Sequence, residues 1–402
     1  MRQVRWASWM VAVAMTLAVG GVRPVAADVT SDRAAAIVYF PSVIFAEGDS
    51  VLGSFFGGPF IDTVIQLSNT STEPVTAFCF YENANAHCTN TGEVCFLPSD
   101  CCAPTVSTIG GCGSCFPGWL ETDFIVNLTP RQPLGWLASD GMSGFLNTLF
   151  QSPPVQVGTF PLGGPPFGIS GIGGASNVGS AIPPVPEEPF IGALRCIAVD
   201  QARVPVDRNV LKGEATITVA SLEGSGLDLE TVGKHNAIGI QAIPGAVNDD
   251  NILVLGGDGA EYNGCPNFNI LNHFFDGAEN PVSGETIRTV LELVPCCTDY
   301  LRQIPGAAVI QYLVYNEFEQ RFSTSRPFAC KQFGTISSID TTQPTRSIFS
   351  AGVGGTLTGQ SRFTSIGCGV LAVAHELHGE DLADFNVHFQ GDRADSDLIV
   401  LP

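Results

Sequence analysis

Histidines and carboxylates near the C-terminus are the first residues that could do chemistry. His375-Glu376-Leu377-His378 is one residue short of the H-E-x-x-H spacing, with which two histidines on one helix face bind zinc. The preceding run, Val370 to Ala374, is typical of a strand, in which residues three apart face opposite sides. A solvated loop between two strands is therefore the favoured structure for this segment. The alternative is a metal site formed by His375, His378 and His388.

Carboxylate-rich loops are the second candidates, because Ca²⁺ prefers oxygen ligands. One loop contains Asp249 and Asp250, with Asp258 and Glu261 shortly after, and another contains acidic residues at 392, 395 and 397. Neither has EF-hand spacing. Calcium at Asp249, Asp250 and Asp258 is therefore the cofactor hypothesis, and ordinary Asx turns are the alternative.

The cysteines form the densest cluster of reactive side chains, with seven of the 13 lying between residues 79 and 115. Cys112-Gly113-Ser114-Cys115 has redox-dithiol spacing, but Phe116-Pro117-Gly118 continues as a turn instead of the helix that would activate a thiol. A zinc site among Cys95, Cys101, Cys102, Cys112 and Cys115 is a second interpretation. A loop held by disulfides is the favoured one.

An odd number of cysteines leaves at least one free or paired between chains. Adjacent cysteines, as at 101/102 and 296/297, are expected to bond to separate partners. The cysteines predicted to form disulfides are Cys79, Cys88, Cys95, Cys101, Cys102, Cys112, Cys115, Cys196, Cys265, Cys296 and Cys330.

The N-terminal 27 residues have the pattern of a signal peptide. Arg2 and Arg5 precede an apolar run from Trp6 to Val22, and Val25-Ala26-Ala27 offers a cleavage site before Asp28. Disulfides form in oxidising compartments, so the cysteine content agrees with this interpretation. The sequence thus predicts an exported protein, secreted or periplasmic.

The net charge of −21 argues against nucleic acids and anionic membranes as partners, because both require basic surfaces. No second apolar stretch of membrane-spanning length appears, so we expect no membrane span in the mature chain. Walker loops, G-x-S-x-G elbows and dinucleotide fingerprints are also absent from the sequence.

Short runs of β-branched and aromatic residues, separated by 45 glycines and 27 prolines, predict an all-β fold built of sandwiches. Residues 63–67 (TVIQL) resemble residues 289–293 (TVLEL), and each run is followed by a polar loop and a second apolar strand. We therefore predict two related sandwiches in tandem, at 34–245 and 246–402. The first contains a cysteine-rich insertion at 79–118 and a Gly/Pro-rich excursion at 151–188.

The run from Asp62 to Phe78, in which an Asn-Thr-Ser turn joins two apolar strands, resembles immunoglobulin-like β-sandwich modules of bacterial exported and surface proteins. The whole chain is similar to uncharacterised exported bacterial proteins. The resemblance implies immunoglobulin-like sandwiches and no particular activity. We therefore predict a non-catalytic binding or structural protein of the cell envelope or exterior, with a protein or glycan surface as its partner. The alternative is a secreted metal-dependent hydrolase that uses the C-terminal histidines.

Overall fold

The computed structural model describes residues 29–48, 52, 56, 58–95, 101–102, 113–142, 181–223, 226–248, 250–340, 346–392 and 395–402. Within these ranges the chain is all-β, with several antiparallel sheets and disulfides, which confirms the all-β part of the predicted fold. The predicted signal peptide, Cys112, Asp249 and most of the 151–188 excursion lie outside the described residues. In the same ranges the structure contains no helix that is long and apolar enough to span a membrane.

Residues before 245 form a five-stranded sheet (β12-β1-β9-β3-β7), a four-stranded sheet (β11-β10-β2-β8) and a small sheet in the cysteine-rich insertion (β5-β4-β6). The two larger sheets share an apolar core that includes Tyr81 and Trp136, in a sandwich-like arrangement. The strands are β1 Ile37–Phe45, β2 Phe60–Asn69, β3 Val75–Asn83, β4 Ala86–Cys88, β5 Val94–Cys95, β6 Cys115–Pro117, β7 Leu120–Leu128, β8 Pro133–Leu137, β9 Phe190–Val199, β10 Leu211–Glu223, β11 Gly226–Asn236 and β12 Ile238–Ile240.

Residues after 250 form a five-stranded sheet (β18-β17-β19-β14-β22) and two three-stranded sheets (β15-β20-β21 and β13-β23-β16). The first two of these share a second core, which includes Tyr312 and Phe363. The strands are β13 Ile252–Leu255, β14 Pro266–Phe274, β15 Ile287–Pro295, β16 Thr298–Asp299, β17 Ala307–Asn316, β18 Arg321–Ala329, β19 Thr358–Gly367, β20 Val370–His378, β21 Asp381–Asn386, β22 His388–Asp392 and β23 Asp397–Val400.

Close packing joins the two halves, although every strand ladder of the described residues pairs strands of the same half. One apolar cluster contains residues of both, such as Tyr39 and Ile240 from the first half and Tyr300 from the second. Strands β11 and β21 also lie side by side, where the Asn386 side chain bonds both the N–H and the C=O of Asn236, at 3.0 and 2.7 Å. Whether each half folds alone stays a prediction.

The structure corrects one predicted loop and supplies strands that the sequence pattern did not indicate. Residues 375–378 continue strand β20 instead of forming a solvated loop, because β15 and β21 pair with them on both sides. Strands β11 and β14 are two examples. Glycine and aspartate interrupt the first, and three asparagines break the apolar pattern of the second.

Five disulfides link described residues: Cys79–Cys196, Cys88–Cys101, Cys95–Cys115, Cys265–Cys296 and Cys297–Cys368. Cys102 is also disulfide-bonded, and adjacent cysteines have separate partners, as expected.

The prediction for Cys330 was wrong, because Cys330 is free and buried. Cys297 and Cys368, which the prediction omitted, bond to each other. The Cys330 thiol instead lies 3.6 Å from the Asn83 carbonyl oxygen.

Candidate functional site

A buried group of charged side chains lies where the two halves meet; we call it the central ionic cluster. Neighbouring strands β15, β20 and β21 place Glu292, His375 and Asp384 on one sheet face. His375 pairs with Val290 on one side and with Asp384 on the other. Glu292 lies two residues after Val290 and therefore faces the same side of the sheet. Its members are Glu292, Lys331, His375 and Asp384 from the second half, and Ser42 and His235 from the first.

Every charged group in the central ionic cluster has a partner within the protein. His375 contacts Glu292 Oε1 through Nε2 at 2.8 Å and Asp384 Oδ1 through Nδ1 at 2.6 Å. The Lys331 ammonium pairs with Glu292 and also donates to the Gly192 carbonyl at 2.5 Å. The His375, Glu292 and Asp384 side chains are 0% exposed, so a substrate could reach them only by displacing the core.

The charges of this cluster are fixed by one another. Burial lowers the pKa of His375, but Asp384 and Glu292 more than reverse the effect and raise it to about 10. Burial raises the pKa of Asp384, but His375 outweighs it and brings the value down to about 2. His375 is therefore an imidazolium whose two N–H groups both donate, which leaves no lone pair for a metal or for a proton from a substrate.

We expect the stability of the protein to fall between pH 6.5 and 9. A histidine with a raised pKa stabilises fully below its unfolded pKa of 6.5, and this stabilisation is lost as the pH rises toward about 10. The expected loss of unfolding free energy is roughly 3 kcal/mol, at about 1.4 kcal/mol per pKa unit. Urea titrations across this range measure it.

The matched variants for this pH dependence are H375Q and H388Q. In H375Q the free energy of unfolding should change little between pH 6.5 and 9, because the titrating imidazole is gone. H388Q removes a histidine from strand β22, outside the cluster, and should leave the slope in place. A wild-type slope that survives in H375Q would contradict the assignment.

A second buried group, the arginine cluster, also joins the two halves. Arg195 on β9 pairs with Glu82 on β3 at 3.1 Å, and both side chains are at least 96% buried. The Tyr300 hydroxyl, from the second half, donates to the same Glu82 oxygen. The Arg195 guanidinium lies 4.1 Å from the Tyr39 ring centroid and donates to Thr298 Oγ1 at 3.1 Å. The charge pair thus lies within the first half, and two hydroxyl groups of the second half bond to it across the contact.

The structure does not bring the three predicted histidine ligands together. His378 is 3.0 Å from the Asn280 amide, and His388 lies on β22 opposite Ile270, whereas His375 faces the buried cluster. Among the described residues, the one group of three potential ligands with donor atoms within 4.8 Å is Cys88, Cys95 and Cys101, and all three are in disulfides.

The carboxylates of the first acidic loop serve its backbone. Asp250 Oδ1 accepts from the Ile252 N–H at 2.8 Å, as in an Asx turn. The two oxygens of Glu261 accept from the N–H groups of Asn248 and Val254. Among the described residues, Asp258 belongs to no group of three potential metal ligands.

One broad surface combines polar and aromatic side chains that are open to solvent; we call it the open sheet face. It is the outer side of the sheet β18-β17-β19-β14-β22. Depressions of about 650 Å³ and 600 Å³ lie along it. Strand register defines its three central rows: Asn272, Gln360, Tyr315 and Arg321; Ile270, Arg362, Leu313 and Ser323; Phe268, Thr364, Gln311 and Ser325.

Side-chain bonds order the centre of the open sheet face. Arg362 Nε donates to Gln360 Oε1 at 2.9 Å, and Gln360 Nε2 donates to Asn272 Oδ1 at 3.1 Å. The Arg362 guanidinium carbon also lies 5.2 Å from the ring centroid of Tyr315. Three strands therefore hold four polar side chains in one arrangement before any ligand arrives.

The sequence interpretation missed both kinds of site. A charged residue among buried apolar neighbours of the same strand was available as a signal for the buried clusters, at Glu82, Arg195 and Glu292. The alternation of polar residues along β19, at Gln360, Arg362 and Thr364, was available for the open sheet face.

Comparison with known protein families and with curated proteins gives no match for this chain.

Proposed function

We propose that this protein is an exported, non-catalytic binding protein of the cell envelope or exterior, built as two immunoglobulin-like sandwiches in tandem. One observation carries the proposal: the side chains best suited to catalysis are sealed between the halves and bonded to each other. Disulfides in both halves fit an oxidising compartment. The open sheet face, by contrast, is accessible and ordered.

The alternative, a secreted metal-dependent hydrolase at the C-terminal histidines, requires different chemistry at His375. A metal ligand must offer a lone pair, so His375 would have to lose a proton and leave one of its carboxylates. That change would leave buried charge unpaired, at a cost of several kcal/mol. The binding role needs no such rearrangement.

Co-sedimentation with isolated cell envelopes tests the proposed role. Purified protein without its N-terminal 27 residues is mixed with envelopes of the producing organism and centrifuged. We expect a saturable fraction in the pellet, displaced by excess unlabelled protein. Protein that remains in the supernatant at every envelope concentration, or metal-dependent hydrolysis of envelope material, would contradict the proposal.

A further inference from the structure

We propose that the open sheet face binds a polysaccharide that carries carboxylate groups, such as a polyuronate. This inference rests on the proposed binding function and names the ligand class for it. The central residues are Arg362, Gln360, Asn272 and Tyr315, which two hydrogen bonds and one stacked contact already order.

Charge is the first argument for an acidic ligand. The chain has 39 acidic residues and a net charge of −21, yet the three central rows contain no carboxylate and two arginines, Arg321 and Arg362. Among the described residues that line the two depressions, the acidic ones are Glu317 and Glu376, and both line the depression of about 650 Å³ toward one end of the face. A carboxylated polymer is repelled by most of this protein and attracted here, so charge complementarity selects the face.

The geometry at Arg362 supplies the second argument. Its bond to Gln360 uses only Nε, and among the described residues Arg362 makes no other hydrogen bond. The two terminal nitrogens thus remain to bind a carboxylate in the bidentate manner that guanidinium favours. Because the side chain is held by Gln360 and Tyr315, less conformational entropy is lost on binding.

The remaining side chains favour a sugar polymer over an acidic peptide. Gln311, Ser323, Ser325 and Thr364 each both donate and accept hydrogen bonds, which matches sugar hydroxyls. The half-buried rings of Tyr315 and Phe268 leave part of their surface to stack against apolar sugar faces. An extended peptide would instead add to a sheet edge, and Pro327 removes a donor from the exposed edge strand β18.

The size of the face fits a polymer. The three rows and the next outward-facing residue of β14, Phe274, lie two residues apart along each strand. The distance from Phe274 to Phe268 is therefore roughly 20 Å. The two depressions flank the middle of this length. Several sugar rings could therefore lie along the strands, with Arg362 near the centre.

Isothermal titration calorimetry with polygalacturonate tests the proposal, and the fully methyl-esterified polymer is the matched ligand control. We expect saturable binding to the acid, weakened by added salt, and little binding to the ester. R362Q should lower the affinity about tenfold or more. R362K should have an intermediate affinity, because lysine keeps the positive charge but cannot bind a carboxylate in the bidentate manner. R302Q, at an exposed arginine 74% open to solvent and outside the rows, should bind normally.

Four results would overturn the proposal. Equal binding of acid and ester would remove the carboxylate requirement, and equal binding of polyglutamate would remove the preference for sugars. Absence of binding to polygalacturonate would reject the ligand class, while the envelope assay would still decide the proposed function separately. Loss of binding in R302Q as great as in R362Q would place the site elsewhere.

Discussion

E292Q is expected to lower the free energy of unfolding by about 3–5 kcal/mol, although it changes the side-chain shape very little. Glu292 balances both Lys331 and His375, and all three side chains are at least 99% buried. The amide leaves the Lys331 ammonium without the carboxylate that it pairs with and leaves His375 with Asp384 alone. Urea unfolding at pH 6, followed by intrinsic fluorescence, measures the loss.

The matched control for this variant is E214Q. Glu214 pairs with Lys234 at 2.8 Å, but the two side chains are 34% and 51% exposed. An exposed pair contributes less than about 1 kcal/mol, so E214Q should be close to wild type. If the two variants lost equal stability, the central ionic cluster would have no special role in holding the fold.

R195M should cost about 3–5 kcal/mol as well, because it leaves the Glu82 carboxylate buried without its cation. The double variant R195M/E82L should recover much of this loss, since apolar replacement of a whole buried pair is often neutral. Urea unfolding of both single variants and the double variant gives the interaction energy directly.

The recovery separates charge from packing at the arginine cluster. Arg195 also stacks on Tyr39 and lies near Tyr300, contacts that methionine reproduces only in part. If the double variant were as unstable as the sum of the single changes, packing on these rings would account for the effect of Arg195, and the ion pair would not.

Period-two patterns and turn residues predicted most of the strands, because these features are local. Strand β14 was missed because its polar residues, such as Asn269, are buried by neighbours that only the tertiary structure supplies. His375 was singled out from its spacing as a possible metal ligand, but two of its neighbours in the structure lie 83 residues away at Glu292 and in the other half at His235. Such long-range pairings have no local signal.

Disulfides show the same limit. The presence of disulfides followed from cysteine number, but the choice between Cys330 and Cys368 depends on which thiols the sheets bring together. Cys297 and Cys368 meet across 71 residues of sequence, while the strand that ends before Cys330 carries that thiol toward Asn83 instead. The disulfide pairing therefore could not be predicted without the tertiary structure.

Differential scanning calorimetry of the full chain and of E292Q tests the central claim most directly, namely that the buried charges couple the two halves. The wild type should unfold in one cooperative transition whose calorimetric and van't Hoff enthalpies agree. In E292Q the transition should move to lower temperature and separate into two. Two wild-type transitions, neither of which changes in E292Q, would contradict the claim.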